Sequence, residues 1–216
     1  MSTRIRVLVV DDHDVVAEGL RGLLAAHPDI EVTGVAHNGR DALERVREQQ
    51  PDVVLMDAMM PELNGIDAAR RMRVEFPRSR VVILSMHSDA EHVQQALRAG
   101  VSGYVLKRAA AREVVDAVRA AYAGARYLTQ ELRAMLAARG AGEAAGRDPL
   151  ERLSAREREV LQQLAESRSV REIAARLELS LKTVETYRAR VMEKLEIHDL
   201  AGLVRFAVQR GLISLE

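Results

Sequence analysis

Between Pro51 and Pro61 the chain reads PDVVLMDAMMP, an apolar run that stops at a carboxylate. Val53-Val54-Leu55-Met56 is too short for a helix of its own and shows no polar alternation, the pattern of a strand covered on both faces in a parallel sheet. Such sheets place their ligand sites outside the carboxyl ends of the strands, where Asp57 stands. One Asp after one apolar run is more often a helix cap or the start of a turn. The question is whether other strands bring partners to the same edge.

They do. Arg4 to Val10 reads as a first strand ending in Asp11-Asp12, followed by a helix with Val15, Val16, Leu20, Leu23 and Leu24 at helical spacing. Glu31 to Ala36 is a second strand, and Gly39 to Gln49 a helix turning Ala42, Leu43 and Val46 inward. After the Asp57 strand, Asn64-Gly65 turns into a helix carrying Ile66, Ala69 and Met72. Val81 to Leu84 is a fourth strand ending at Ser85, and a helix through Val93, Ala96 and Leu97 stops at Gly100. Gly103 to Leu106 is a fifth strand ending at Lys107, and a last helix spans about Ala110 to Tyr122. Five strands alternating with five helices predict a doubly wound α/β domain. Right-handed crossovers favour the flavodoxin-like order 2-1-3-4-5, which puts Asp11, Asp12, Asp57, Ser85 and Lys107 at one edge.

From Gly124 onward the pattern changes. Tyr127 to Ala138 could continue as a short helix, but AARGAGEAAGRDP has the composition of a flexible linker. The predicted division is a domain over 1–122, a linker over 123–149 and a second domain over 150–216. The last of these contains no strand-like run. Ser154-Ala-Arg-Glu157 and Ser169-Val-Arg-Glu172 are capping boxes that start two helices. A short turn at Leu179-Ser180 leads into a third, Leu181 to Leu195, and Asp199 opens a fourth. This is the pattern of a four-helix domain with a helix-turn-helix.

Composition excludes several functions. With no cysteine there are no disulfides, thiolate metal sites or cysteine nucleophiles. No apolar run approaches the roughly 20 residues of a membrane span, so the expectation is a cytoplasmic protein without membrane contact. Lys and Arg number 32 and Asp and Glu 32, so net charge carries no nucleic-acid signal.

The acidic edge has a chemistry of its own. A carboxylate can take a phosphoryl group as an acyl phosphate, but it repels the incoming anion unless a divalent cation bridges them. Asp11, Asp12 and Asp57 are hard oxygen ligands suited to Mg²⁺. Lys107 can ion-pair with phosphoryl oxygens, and the Ser85 hydroxyl can donate to one of them. Singly, each residue has a blander role in a cap, a turn or solvent; it is their conjunction on four strands that points to a site.

Asp11-Asp12, DAMMP from Asp57 to Pro61, Asn64-Gly65, ILSMHSD from Ile83 to Asp89 and GYVLK from Gly103 to Lys107 together resemble the receiver domain of two-component response regulators over residues 1 to about 122. The resemblance implies that Asp57 takes a phosphoryl group from the phosphohistidine of a cognate sensor histidine kinase. It also implies that Asp12 binds Mg²⁺ directly, Asp11 through water and Met59 through its backbone carbonyl, and that Ser85 and Tyr104 move in the switch. Met59 and His87 resemble positions that tune dephosphorylation. A phosphatase with an aspartyl-phosphate intermediate would need an acid/base Asp two residues after Asp57, where Met59 stands, so the protein is not expected to be an enzyme.

In the last domain, Val184, Tyr187, Val191 and Leu195 share a core-facing side of the third helix. Lys182, Glu185, Thr186 and Ala189 lie opposite, with Arg190 on the flank. Lys could reach guanine and Glu could accept from cytosine N4, while Arg188 and Arg190 are better placed for phosphates; Thr183 joins this candidate DNA-reading set. LSAREREVLQQLAE, VREIAARLELSLKTVETYRARVMEKLEI and LAGLVRFAVQRGLI resemble the helix-turn-helix domain of the NarL/FixJ (LuxR-type) regulators, from Leu153 to about Ile213. Ser167 and Val170 depart from the Gly and Asn frequent near those positions, and Tyr187 replaces a frequent His. The resemblance implies double-stranded DNA as partner and a homodimer when active, with Leu200, Leu203, Val204 and Ala207 on a dimer surface that could equally be domain core. An RNA-binding or protein-binding output is the alternative.

Overall fold

The computed structural model describes residues 4–139 and 148–213. The chain divides into two compact units, 1–142 and 143–216.

In the first unit, strands β1 (Ile5–Val10), β2 (Ile30–Ala36), β3 (Val53–Asp57), β4 (Arg80–Ser85), β5 (Gly103–Leu106) and β6 (Tyr127–Leu128) form a parallel sheet of order 2-1-3-4-5-6. β3 lies between β1 and β4, and every residue from Val53 to Asp57 is buried, as an apolar run without alternation requires. Helices α1 (Asp14–Ala25) and α5 (Ala111–Tyr122) cover one face, packing Ala17, Leu24, Val115 and Val118 onto Val7, Val9, Leu55 and Val105. Helices α2 (Gly39–Gln49), α3 (Gly65–Glu75) and α4 (Ala90–Ala99) cover the other, around Leu8, Val54, Met56 and Ile83.

Three features differ from the sequence expectation. The sheet has six strands rather than five, because Tyr127 and Leu128 pair with Gly103 and Tyr104. The short helix allowed for over Tyr127 to Ala138 forms as α6 (Gln130–Arg139), but it packs on the first domain instead of standing in a linker, with Leu132 buried against the α2–α4 side of the core; 140–147 lie outside the described residues. On α1, Val15 is 86 % exposed and Val16 is also exposed. Ala17 and Leu24, seven residues apart, define the buried stripe, and Val15 falls on the other side of it.

The α3 N-terminus shows why Asn64-Gly65 is a pair. The Asn64 side chain accepts from the Asp67 amide at 2.9 Å as the helix cap. The Gly65 amide donates to the Ala58 carbonyl at 2.9 Å, so close that a Cβ on Gly65 would lie 2.0 Å from the Asp57 carbonyl oxygen. Gly65→Ala should therefore displace the end of β3 and destabilise the unit by roughly 1–3 kcal/mol, the range for overpacking. Urea unfolding checks this; an unchanged midpoint would mean that α3 withdraws freely.

In the second unit a 3₁₀ turn (Pro149–Arg152) precedes α7 (Ala155–Ala165), α8 (Val170–Leu177), α9 (Leu181–Leu195) and α10 (Leu200–Gln209). Both capping boxes form, Ser154 with Glu157 and Ser169 with Glu172. Glu157, buried, also receives Lys194 Nζ at 2.7 and 2.8 Å, tying α7 to α9. Val160, Leu161, Ile173, Val184, Val191 and Leu203 are fully buried in the core. Between α7 and α8, Ser167 has φ +61°, the left-handed conformation in which glycine is unstrained. That is the position where Ser stands in place of the frequent Gly.

Candidate functional site: an acidic pocket and an exposed helix face

The carboxyl ends of β1 to β5 are held level by the strand pairing and by backbone bonds just beyond it. The Asp11 amide donates to the Ala36 carbonyl at 3.1 Å, the Ala58 amide to the Leu84 carbonyl at 2.8 Å and the Lys107 amide to the Ser85 carbonyl at 2.8 Å. Residues 50 and 96 positions apart in the chain thereby meet: Lys107 Nζ donates to Asp57 Oδ2 at 2.8 Å and to Asp11 Oδ2 at 2.9 Å. Neither aspartate is the cap of α1. That position is His13, without a side-chain cap bond, and Asp11 Oδ1 accepts from the His13 amide at 3.0 Å. Ligating atoms of Asp11, Asp12, His13 and Asp57 lie within 4.8 Å of one another. The three carboxylates form the hard oxygen set that suits Mg²⁺.

His13 is a member of the pocket that the sequence reading does not single out. Its neighbours Asp12 and Asp11 hold its pKa above the usual imidazole value. Its place next to the Asp11-Asp12 pair is the signal that could have found it.

Asp57 is 5 % exposed, and burial pushes its pKa up to about 6 in spite of Lys107. Lys107 is itself held above its ordinary value: burial pulls it down, but Asp57 and Asp11 outweigh that. Met59 donates its amide to Asp57 Oδ1 at 3.4 Å, the geometry of a loop wrapped around the carboxylate.

An unfolded Asp titrates near 3.9, so the folded state holds the Asp57 proton more tightly, and stability falls as pH rises between about 4 and 6. Above that window the full cost of burying the charge is present, on the order of 3 kcal/mol for a carboxyl raised to about 6. In metal-free buffer Asp57→Asn should therefore be more stable than the parent at pH 7.5, by roughly 1–3 kcal/mol, with the gap closing toward pH 4. Urea melts with a chelator at the two pH values read this directly; a less stable variant at pH 7.5 would mean that the Lys107 pair outweighs burial.

Ser85 and Tyr104 sit just behind the pocket. The Ser85 hydroxyl, buried, accepts from the His87 amide at 3.0 Å. Tyr104 is fully buried and its hydroxyl donates to the His87 carbonyl at 2.9 Å; burial raises its pKa well above the ordinary phenol value. The ring is turned inward, not held at the edge.

On α9, Lys182, Glu185, Thr186, Ala189 and Arg190 are all exposed, opposite the buried Val184 and Val191. Thr183 is partly buried and engaged in the helix start, its amide donating to Ser180 Oγ at 3.1 Å and its hydroxyl 2.7 Å from the same atom. Arg188, also partly buried, faces Glu185 at 3.8 Å. The Thr186 hydroxyl donates back to the Lys182 carbonyl at 2.8 Å. Of the four residues placed on a dimer surface, Leu203 and Ala207 are 0 % exposed and belong to the domain core. The spacing i, i+3, i+4, i+7 describes one stripe, and here its centre faces α7, leaving Leu200 exposed and Val204 at the margin.

Known proteins share both units. Residues 7–119 match the response regulator receiver domain and residues 151–207 the family described as bacterial regulatory proteins, luxR family. The transcriptional regulatory protein MctR of Rhizobium johnstonii is 39 % identical over 98 % of this chain and 96 % of its own. The response regulator GacA of Pseudomonas aeruginosa is 37 % identical over 97 % and 98 %. Among solved structures, a LuxR-family two-component response regulator from Aurantimonas sp. SI85-9A1 superposes with a TM-score of 0.62 at 34 % identity, covering 65 % of this chain and all of that one. With a receiver-type acidic pocket in one unit and a helix-turn-helix in the other, the chain belongs to the two-component response regulators that join a receiver domain to a LuxR-type DNA-binding domain.

Proposed function

We propose that Asp57 is the phosphoacceptor and that its phosphorylation by a sensor histidine kinase controls sequence-specific binding of α9 to double-stranded DNA. The observation that carries this is the buried Asp57 carboxylate held at 2.8 Å by Lys107, with Asp11, Asp12 and His13 gathered around it. At neutral pH Asp57, with a pKa of about 6, is mainly ionised and nucleophilic. A carboxylate oxygen attacks the phosphorus of the phosphohistidine as the phosphorus–nitrogen bond breaks, and the imidazole leaves with its electron pair. Lys107 passes from the carboxylate to the phosphoryl oxygens, and Ser85 donates to another once its hydroxyl turns forward. Asp11, Asp12, Asp57 and the Met59 carbonyl would hold Mg²⁺, which supplies charge neutralisation between carboxylate and phosphoryl group.

Ser85 and Tyr104 both bond to His87, so drawing Ser85 forward alters the segment that the Tyr104 hydroxyl holds. This is a two-state element that phosphorylation can bias. In the output domain Lys182, Glu185, Thr186 and Ala189 face the major groove, Arg188 and Arg190 contact phosphates, and Thr183 fixes the helix start. Of the four α10 residues read as a dimer surface, Leu200 and Val204 are available to a two-fold partner, and a dimer would bind two half-sites related by symmetry. Footprinting on duplex DNA with and without a small-molecule phosphodonor tests the coupling: protection that tightens on phosphorylation is expected. A chain that protects only RNA, or no nucleic acid in either state, would overturn it.

A further inference from the structure

A second cluster of ligating groups lies on the segment between β4 and α4. We infer that His87, Asp89 and His92 form a binding site for a borderline transition-metal dication of the Zn²⁺ class, separate from the acidic pocket. One ligating atom from each residue lies within 4.8 Å of the others. The two imidazoles stack, with centroids 4.5 Å apart and planes inclined by 12°.

Asp89 caps α4, its Oδ1 accepting from the His92 amide at 3.2 Å, and its Oδ2 lies 2.6 Å from His92 Nδ1. A metal ion taking Nδ1 and Oδ2 as ligands would replace that bond, displacing the proton the two groups share. His92 is 8 % exposed, and its Nε2 is sealed from solvent with no hydrogen-bond partner among the described residues. A helix cap accounts for Asp89. It does not account for a second imidazole stacked on the first.

The donor chemistry selects the metal. Two imidazoles and one carboxylate suit Zn²⁺ and its neighbours, whereas Mg²⁺ takes oxygen. Met59 Sδ lies 3.0 Å from His87 Nε2, adding a soft donor beside the histidine. Zn–N and Zn–O bonds of about 2.0–2.2 Å bring ligating atoms to within about 4 Å of one another. The cluster needs to contract by about an ångström, which the part-buried His87 can supply by rotating its ring.

Occupancy would pin residues 87–92, whose first member bonds to Ser85 and Tyr104. That consequence for signalling rests on the phosphoacceptor reading; the metal site does not.

The test is calorimetric titration of the untagged full chain with Zn²⁺ in excess Mg²⁺, followed by Co²⁺ in its place to read the visible spectrum. One equivalent should bind, and the Co²⁺ complex should show the intense bands of a low-coordinate site with nitrogen ligands. His87→Ala and Asp89→Asn, the latter keeping a good helix cap, should each weaken binding more than about tenfold. Asp12→Asn should leave it unchanged. Because His87 is part-exposed and Asn caps well, these two variants keep the fold even where His92→Gln does not. Binding lost in Asp12→Asn and kept in His87→Ala, binding displaced by Mg²⁺, or no binding at all would each overturn the site.

Discussion

Asp57→Ala should remove phosphoryl uptake entirely while the chain stays folded. Incubated with Mg²⁺ and a small-molecule phosphodonor, the parent should gain the mass of one phosphoryl group and the variant none. The expectation of complete loss follows from the geometry. Asp57 alone stands at the end of the central strand with one oxygen on Lys107 and the other against the Met59 amide. Asp11 is fully buried, and Asp12 lies at the rim beside His13. Neither can replace Asp57 at the end of the central strand, because covalent catalysis needs the nucleophile aligned with the reacting phosphorus. The fold should survive, since the buried charge is a cost and not a support at neutral pH, as the raised pKa of about 6 states. Equal adduct on the variant would place the acceptor elsewhere. No adduct on the parent, with rapid quenching, would make this a receiver that signals without phosphorylation.

Lys182→Ala should weaken specific DNA binding by about 10–100-fold, the range for removing one base-reading side chain. Thr186→Ala should cost less. The Thr186 hydroxyl already donates to the Lys182 carbonyl at 2.8 Å, so it offers a base only its lone pairs and methyl group. Lys182 is exposed in the first turn of α9. The domain is not basic enough for non-specific attraction to compensate, since its arginines are matched by acids. Gel shifts at several salt concentrations separate the two ways in which affinity can fall. Removing a side chain that reads a base relaxes sequence preference, whereas removing one that neutralises a phosphate reduces the salt slope by about one. Unchanged footprints in both variants would refute this face as the reader.

The parts of the fold legible in the sequence were those set by local periodicity. The β3 run, the burial of Ala42, Leu43 and Val46, and the two capping boxes all followed from spacings of a few residues, because side-chain direction repeats every two or 3.6 residues whatever lies elsewhere. Where periodicity was ambiguous, only packing decided. Val15 and Ala17 are both apolar and two apart on α1, yet one is exposed and the other buried. Leu203 and Ala207 read as well for a dimer surface as for a core, and α7 claims them. The two residues of β6 carry no strand signal of their own; pairing with Gly103 and Tyr104 makes them a strand.

The sequence by itself determined the alternation of strand and helix, the two-part organisation and the chemistry available at each strand end: acids after β1 and β3, a hydroxyl after β4, an amine after β5. Those properties depend on residues near one another in the chain. Only the tertiary structure decided that Lys107 touches both Asp11 and Asp57, that burial raises the Asp57 pKa and that Tyr104 is turned inward onto His87. It alone stacked His87 on His92. Distances and dielectric environment arise when separate elements pack. A charge buried among residues tens of positions away behaves according to those neighbours, not its own flanking sequence.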